Sequence, residues 1–527
     1  MFPHEKEMIE KGAETILHEE DVLDKEIAAL NTIEDTQTSK VVWLIAICVS
    51  VGGFLFGYDT GYISSVLVTI GDDLGHDLSS SEQELITSIT SGGAFIGAIF
   101  AGLTADRYGR KISIYCGCGV FVVGAILQAA AFGVAQMTVG RFIVGLGVGD
   151  AAMVVPLYIS EIAPAKYRGR MITMQTCNIT GGQFIAYCIG AGFAEVKSSG
   201  WRYVVAIGAI PAIALALFLP WCPESTRQLV AHGELGQADT VLARLYPNST
   251  TEQRQDKIRA IQQDLHQATE LMAHKSLWWS YRQLHIVPAN FRAMLTACCV
   301  MGVSQLCGFN TLMYYSGTLF ALVGFNKPVA VSIVVGACNF LGCCINLIIV
   351  DRFGRRRILI FTVLGMSLSL VLAAVAFHYI PINSKDLTLE INNVNWAGIL
   401  VLVTIIFYVG FFGTGVAPVS WMGAERLPLE VRAMGTMVMT VTCWGTNIII
   451  ASTFLSMMKS LSPSGAFGFY AAICFLGFLF AVFCFAETKG MSLEEIREVF
   501  NHGFGVRYAR KWQKQHALDN KRAAVSA

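Results

Sequence analysis

Apolar runs limit this chain more than any other feature. About twelve stretches of roughly twenty or more residues are each long enough to carry a helix across a bilayer's hydrocarbon core. Lipid offers no hydrogen bonds, so every backbone N–H and C=O must be satisfied within the protein, and such runs fold as helices. The first six fall at about 42–70, 84–105, 112–133, 136–160, 170–194 and 201–221. The second six fall at about 293–322, 328–350, 357–379, 395–423, 432–458 and 465–486. The expected fold is an all-α integral membrane protein of twelve transmembrane helices in two pseudo-symmetric six-helix halves. The parts are an N-terminal tail (1–40), a first half (41–221), a helical linker (222–291), a second half (292–486) and a closing tail (487–527). Composition agrees, with 54% hydrophobic and only 14% charged residues. The 38 basic residues balance 38 acidic ones, which leaves no cationic footprint for nucleic acid.

Lysine and arginine set the orientation. Arg107, Arg110 and Lys111 follow the second run, Lys166, Arg168 and Arg170 follow the fourth, and Arg352, Arg355, Arg356 and Arg357 follow the eighth. These loops share one side with the linker, so both termini are expected in the cytoplasm, with the plasma membrane as the default location. The first forty residues are acidic and polar, so the first span is expected to act as its own signal. The 15 cysteines are scattered, many inside apolar runs, and show no zinc spacing; free thiols are expected and no metal or cofactor. No nucleophile–base pair emerges, and an enzyme is not expected.

Inside the first apolar run, Phe54-Leu55-Phe56-Gly57-Tyr58-Asp59-Thr60-Gly61-Tyr62-Ile63 carries a carboxylate. An ionisable side chain at the centre of a span costs roughly 2.5–3.5 kcal/mol on insertion scales, so one that persists marks a candidate functional site. Arg141 lies in the fourth run, and the two charges would offset each other's desolvation in a dry interior. The blander alternative is that Asp59 sits near a span end and reaches the headgroups. Asp150, also in the fourth run, is open between a cavity position, a second titrating group and a cap at a helix kink.

The halves share a repeated string. Asp106-Arg107-Tyr108-Gly109-Arg110-Lys111 follows the second run, and Asp351-Arg352-Phe353-Gly354-Arg355-Arg356 follows the eighth. Two homologous halves around a midplane cavity is a transporter architecture. The string resembles the loop signature of the major facilitator superfamily. Further strings resemble that family's sugar-porter branch: Gly140-Arg141 opening the fourth run, Pro156, Tyr158, Glu161, Pro164, Arg168 and Gly169 after it, Pro223-Glu224-Ser225-Thr226-Arg227, and Glu487-Thr488-Lys489-Gly490. Ala486 stands where the branch has proline. The resemblance spans about residues 41–500.

The resemblance implies the site. Ser304-Gln305-Leu306-Cys307-Gly308-Phe309-Asn310 is similar to the branch's Q-Q-L-x-G-x-N, which places sugar contacts at Gln305 and Asn310 and lets the helix bend at Gly308. Tyr314 and Tyr315 resemble its paired gating tyrosines; Asn339, Trp421 and Asn447 match further contacts, with Gln183 and Thr176 facing them from the fifth run. Amides suit ligands dense in hydroxyls, although a lone intramembrane amide also serves as interhelical glue. Ser304 and Thr176 are departures: short hydroxyls stand where the branch has glutamines. Ile179-Thr180-Gly181-Gly182-Gln183-Phe184 and Gly200-Trp201-Arg202-Tyr203 resemble the proton-coupled myo-inositol porters more than the glucose porters. At the cytoplasmic ends, Arg107, Arg110, Glu161 and Arg168 in the first half, and Arg352, Arg355, Glu425 and Arg432 in the second, are expected to latch that side shut.

The resulting expectation is proton-coupled symport of a sugar or cyclitol, myo-inositol favoured and hexose next, with Asp59 and Arg141 as the coupling pair. The expected partners are the small-molecule substrate, protons and the lipid bilayer. Two alternatives stand: a facilitative hexose or polyol uniporter, which Asp59 disfavours because the branch's uniporters carry asparagine there, and a non-transporting nutrient sensor, disfavoured because the chain ends about forty residues after its last span.

Overall fold

The computed structural model describes residues 33, 39–196, 199–273, 277–383, 388–389, 394–427, 429–489, 491 and 493–515. Most of the acidic N-terminal tail and residues 516–527 lie outside the described residues, as do the side chains of Asp106, Arg168, Asp351 and Glu425.

The first five spans are single helices: Lys40–Thr69, Ser80–Tyr108, Arg110–Ala129, Val134–Ile162 and Ala165–Phe193. The sixth joins Gly200–Ile207 to Ala209–Phe218. Four helices, Thr226–Ala231, Leu235–Leu245, Thr251–Ala273 and Leu277–Ile286, make up the linker. The seventh span is Pro288–Leu306 with Phe309–Val323, the eighth Pro328–Phe353 and the ninth Arg355–His378. The tenth runs Trp396–Phe411, passes a π turn at Phe412–Val416 and ends with Ala417–Trp421. One helical run, Leu429–Cys484, supplies the last two spans. Ser462 has φ 66° and Pro463 follows, so the run turns there. Among the described residues, ten helical stretches are long and apolar enough to cross a membrane, the last of them Met434–Cys484. The fifth span is not among them, because Gln175, Thr176, Asn178, Thr180 and Gln183 make it polar. Counting it, and the turn at Ser462, accommodates the twelve crossings expected.

Local chemistry explains where helices begin. Ser79 accepts the Glu82 N–H while Glu82 reaches back to the Ser79 N–H, a reciprocal cap on the second span. Pro288 and Pro328 open the seventh and eighth, where a missing N–H costs nothing.

Close packing sets how spans cross. A Cβ on Gly57 would collide with the Ile179 carbonyl oxygen, so the first and fifth spans meet backbone to backbone. Gly57→Ala is expected to destabilise the protein by about 1–3 kcal/mol through overpacking. Thermal unfolding of detergent-purified protein reads this, and an unchanged melt would mean the crossing has slack.

The buried apolar side chains show how the halves meet. One group joins both halves: Ile63, Val66 and Ile70 of the first span pack in it with Leu312, Phe320, Ile450 and Phe454. It includes the end of the bundle away from the termini, the closed face, and runs on through the second half as far as Leu359 and Phe485. At the other end, the terminal face, the cores are separate. Ile45, Val49, Ile159, Leu215 and Leu242 pack in one, which Trp444 of the second half also joins, and Leu284, Met294, Leu427, Ile496 and Phe500 pack in another. Apolar side chains such as Phe100, Phe361, Phe407 and Phe483 remain exposed around the outside, as a lipid-facing belt requires.

Candidate functional site

Asp59 is 3% exposed, well inside the first span. Arg141 of the fourth span is fully buried, and its Nη1 lies 2.6 Å from Asp59 Oδ1. Tyr62 stands one turn beyond Asp59 on the same helix face. Its hydroxyl is 2.9 Å from Asp59 Oδ1, 3.0 Å from Arg141 Nη1 and 2.9 Å from the Gln128 side chain of the third span. A tyrosine has one proton. When Tyr62 donates it to Asp59, Gln128 must present its amide nitrogen, which has no other protein partner, to the Tyr62 oxygen. Arg141 Nε donates to the Ile86 carbonyl at 3.2 Å and so grips the second span as well, while Nη2 has no protein partner. Each charge offsets the other's desolvation, since an ion left here without polar partners costs several kcal/mol. Tyr314 of the seventh span lies close enough to interact electrostatically with both.

The amides fall into pairs. Asn310 donates to Gln305 at 2.6 Å across the break in the seventh span. That break centres on Gly308, whose φ of 87° is left-handed. A side chain takes up a carbonyl it frees, Tyr408 donating to Cys307 O at 3.0 Å, while Gly308 O starts the next helix by accepting the Leu312 N–H at 3.1 Å and also the Thr311 hydroxyl at 2.7 Å. Asn339 of the eighth span donates to Gln183 of the fifth at 2.7 Å, a contact between the halves, and its Oδ1 is buried without a protein partner. Asn339 also packs against Gly413 in the π turn of the tenth span, a feature often found at functional sites. Asn447 lies within 3.4–3.5 Å of the Tyr314 hydroxyl, and Tyr315 donates to Ala451 O at 3.1 Å. Thr176 is half-buried, with its carbonyl accepting from Thr180. Trp421 is 38% exposed and stands apart from these pairs. Trp444, by contrast, is buried and packs on Phe56 of the first span at 5.6 Å between ring centres.

At the terminal face, Arg110 Nη2 meets Glu161 at 2.9 Å, and both belong to the first half. Arg110 also bonds Ala105 O and Gln228. Arg107 is exposed over the Tyr108 ring, and Arg432 donates to Leu427 O at 3.1 Å. Arg352 is exposed, and its carbonyl accepts from Lys489.

Two glutamates here have a role that residue spacing did not suggest. Glu224 Oε1 accepts the Arg110 N–H at 3.2 Å and Oε2 the Lys111 N–H at 3.3 Å. Glu487 repeats this with Arg355 at 3.2 Å and Arg356 at 3.0 Å. Each carboxylate, from just beyond the last span of its half, caps the start of that half's third span. A carboxylate at a helix N-terminus is favoured by the unsatisfied N–H groups and the helix dipole. A Cβ on Gly109 or Gly354 would strike these carboxylates, and their φ values of 100° and 83° also call for glycine.

At the closed face, Ser64 of the first span is hydrogen-bonded to Ser316 at 2.9 Å and accepts the Gly317 N–H at 2.8 Å. Tyr187 donates to Met313 O at 2.6 Å. Glu195 and Lys327 pair at 2.6 Å in solvent; the hydrogen bond from the ammonium holds the Glu195 carboxyl below its ordinary value. An exposed pair of this kind contributes little.

Tyr62 and Gln128 were missed from sequence, though each leaves a signal: Tyr62 by its spacing from Asp59, Gln128 as an isolated amide in an apolar run. Asp150 belongs to neither the ion pair nor the amide pairs. It lies between the third and fourth spans, accepting from Ser113 at 2.6 Å, about two and a half helical turns from Arg141.

Residues 45–500 match the protein family described as Sugar (and other) transporter. The chain is 41% identical over 486 residues to Myo-inositol transporter 1 of Cryptococcus neoformans var. grubii, covering 92% of this chain and 86% of that protein. It is 38% identical over 469 residues to Myo-inositol transporter 1 of Saccharomyces cerevisiae, covering 88% and 80%. Among solved structures it is similar in fold to the partially occluded inward open conformation of the xylose transporter XylE from E. coli. The TM-score is 0.72 at 24% identity, over 86% of this chain and 100% of that one. The family match spans residues 45–500, and the chain belongs to the sugar-transporter family: a multi-pass membrane carrier, not an enzyme.

Proposed function

We propose that this protein is a proton-coupled symporter that carries a cyclitol, myo-inositol first and hexoses next, by alternating access. The observation that carries the reading is the Asp59–Arg141 contact, a buried carboxylate and guanidinium 2.6 Å apart beside Tyr314. Burial disfavours a carboxylate's charge and a neighbouring guanidinium favours it, so proton affinity changes whenever such a pair separates. A proton arriving at Asp59 weakens its hold on Arg141 and frees the guanidinium to shift against Tyr62 and Ile86. Substrate hydroxyls engage Gln305, Asn310, Asn339, Gln183 and Asn447, with Thr176 widening the pocket and Trp421 and Trp444 offering aromatic faces. Tyr314 and Tyr315 close over the substrate from the seventh span.

The basic loops favour a cytoplasmic terminal face and cytoplasmic termini, in the plasma membrane. On that orientation the shared core and the Ser64–Ser316 bond shut the outer side, and the separate cores mark the side through which substrate leaves. Arg107, Arg110, Glu161, Arg168, Arg352, Arg355, Glu425 and Arg432 draw the inner side together in the opposite state.

Uptake into proteoliposomes tests the reading. Unlabelled myo-inositol should compete best for the labelled compound, ahead of glucose, xylose and galactose, and acidifying the outside should accelerate uptake. Flux indifferent to a protonophore would instead make the protein a facilitator.

A further inference from the structure

A second carboxylate is buried at the closed face. Glu84 of the second span is 5% exposed, and it spans the seam between the halves. Its Oε1 accepts the backbone N–H of Ser456 in the eleventh span at 2.7 Å, and its Oε2 accepts the Ser456 hydroxyl at 2.7 Å. Both bonds are short, as expected when the acceptor is charged. An N–H inside a helix normally serves the carbonyl four residues earlier. A carboxylate that draws it competes with the helix itself, which is an uncommon way to join two spans.

The same face of the second span continues the contact. Thr87 and Ser91, one and two turns along and both buried, lie beside Tyr315 and Tyr314 of the seventh span. Just before Thr87, the backbone carbonyl of Ile86 accepts from Arg141 Nε. The end of the second span is therefore gripped by the ion-pair network on one side and by the seventh and eleventh spans on the other.

We propose that Glu84 is the latch of the closed face, a positioning residue whose grip on Ser456 must be released before the cavity opens to that side. The proposal rests on the alternating-access reading. A carboxylate suits the task physically. Leaving water for two hydrogen bonds is nearly balanced for a charged group, so the latch is specific in register yet reversible. An apolar contact of the same size would have no directional partner to re-engage.

The test uses the full chain in lipid nanodiscs and proteoliposomes, reading hydrogen exchange by mass spectrometry beside uptake kinetics. Glu84→Ala should speed exchange about tenfold at the closed-face ends of the second and eleventh spans and leave the terminal-face ends unchanged. It should also lower the apparent KM for substrate presented at the closed face about threefold, because the competent state is populated more often. Glu84→Gln, which still accepts the N–H and donates to the hydroxyl oxygen, should restore both readings. Ser456→Ala, which keeps the backbone bond, should fall between. Unchanged exchange in Glu84→Ala, or a loss of Vmax with KM unaltered, overturns the latch. Absence of uptake in the unsubstituted protein would sink the transport reading alone, and the exchange measurement would still decide the latch.

Discussion

Asp59→Asn is expected to abolish uphill accumulation of substrate while sparing exchange of labelled for unlabelled substrate. Asparagine matches the carboxylate in shape and still accepts from Tyr62 and Arg141, so the pocket keeps its form. What it loses is the proton. A proton entering across 100 mV contributes about 2.3 kcal/mol, which corresponds to roughly fifty-fold accumulation. In proteoliposomes the variant should equilibrate substrate and stop there, and adding substrate should no longer draw protons inward. Concentrative uptake that survives the substitution would refute the coupling role.

Arg141→Ala should have the largest effect on stability. It strands the Asp59 carboxylate in a site where it is 3% exposed, with Tyr62 as its remaining hydrogen-bond donor. Removing one partner of a buried ion pair costs about 3–5 kcal/mol. The melting temperature of the purified protein should fall sharply. Asp59→Asn should lower it less, because Arg141 keeps the Tyr62 hydroxyl and the Ile86 carbonyl. Combining Asp59→Asn with Arg141→Gln removes both charges and should recover most of the lost stability without recovering accumulation. A melt for Arg141→Ala equal to that of the unsubstituted protein would show that water reaches Asp59 freely, and the dry-pair argument would fail.

The apolar runs announced where most spans lie, because backbone satisfaction in lipid leaves helices as the answer, while the polar fifth span is weaker by that measure. The bend at Gly308 was legible for a similar reason: a glycine inside an amide-bearing span invites it. The break at Gly208 and the π turn at Phe412–Val416 were not read, although Pro211 and Pro418 each lack the N–H that would serve the carbonyl four residues earlier, at Ile207 and Thr414. Asp59 and Arg141 stood out as charges in apolar sequence, yet their contact depends on how the first and fourth spans cross. Arg110 and Glu161 were legible as terminal charges, but the cross-half latch read into them meets a pair formed within one half. Glu84 reads in sequence as an ordinary acid near a helix start; only Ser456, 372 positions away, gives it a different meaning. The glutamates at 224 and 487 carry recognisable strings, but their targets lie more than a hundred residues upstream, beyond the reach of spacing arguments.

Those two glutamates have a mechanical consequence. By fastening the tail of each six-helix set to its own middle, they make each set a stiff hoop, and deformation is left to the seam. On the alternating-access proposal the molecule then behaves as a see-saw with two rigid arms. Spreading one rim must pinch the other by a comparable amount, and free energy delivered by substrate at one end reaches the other with little lost to bending on the way.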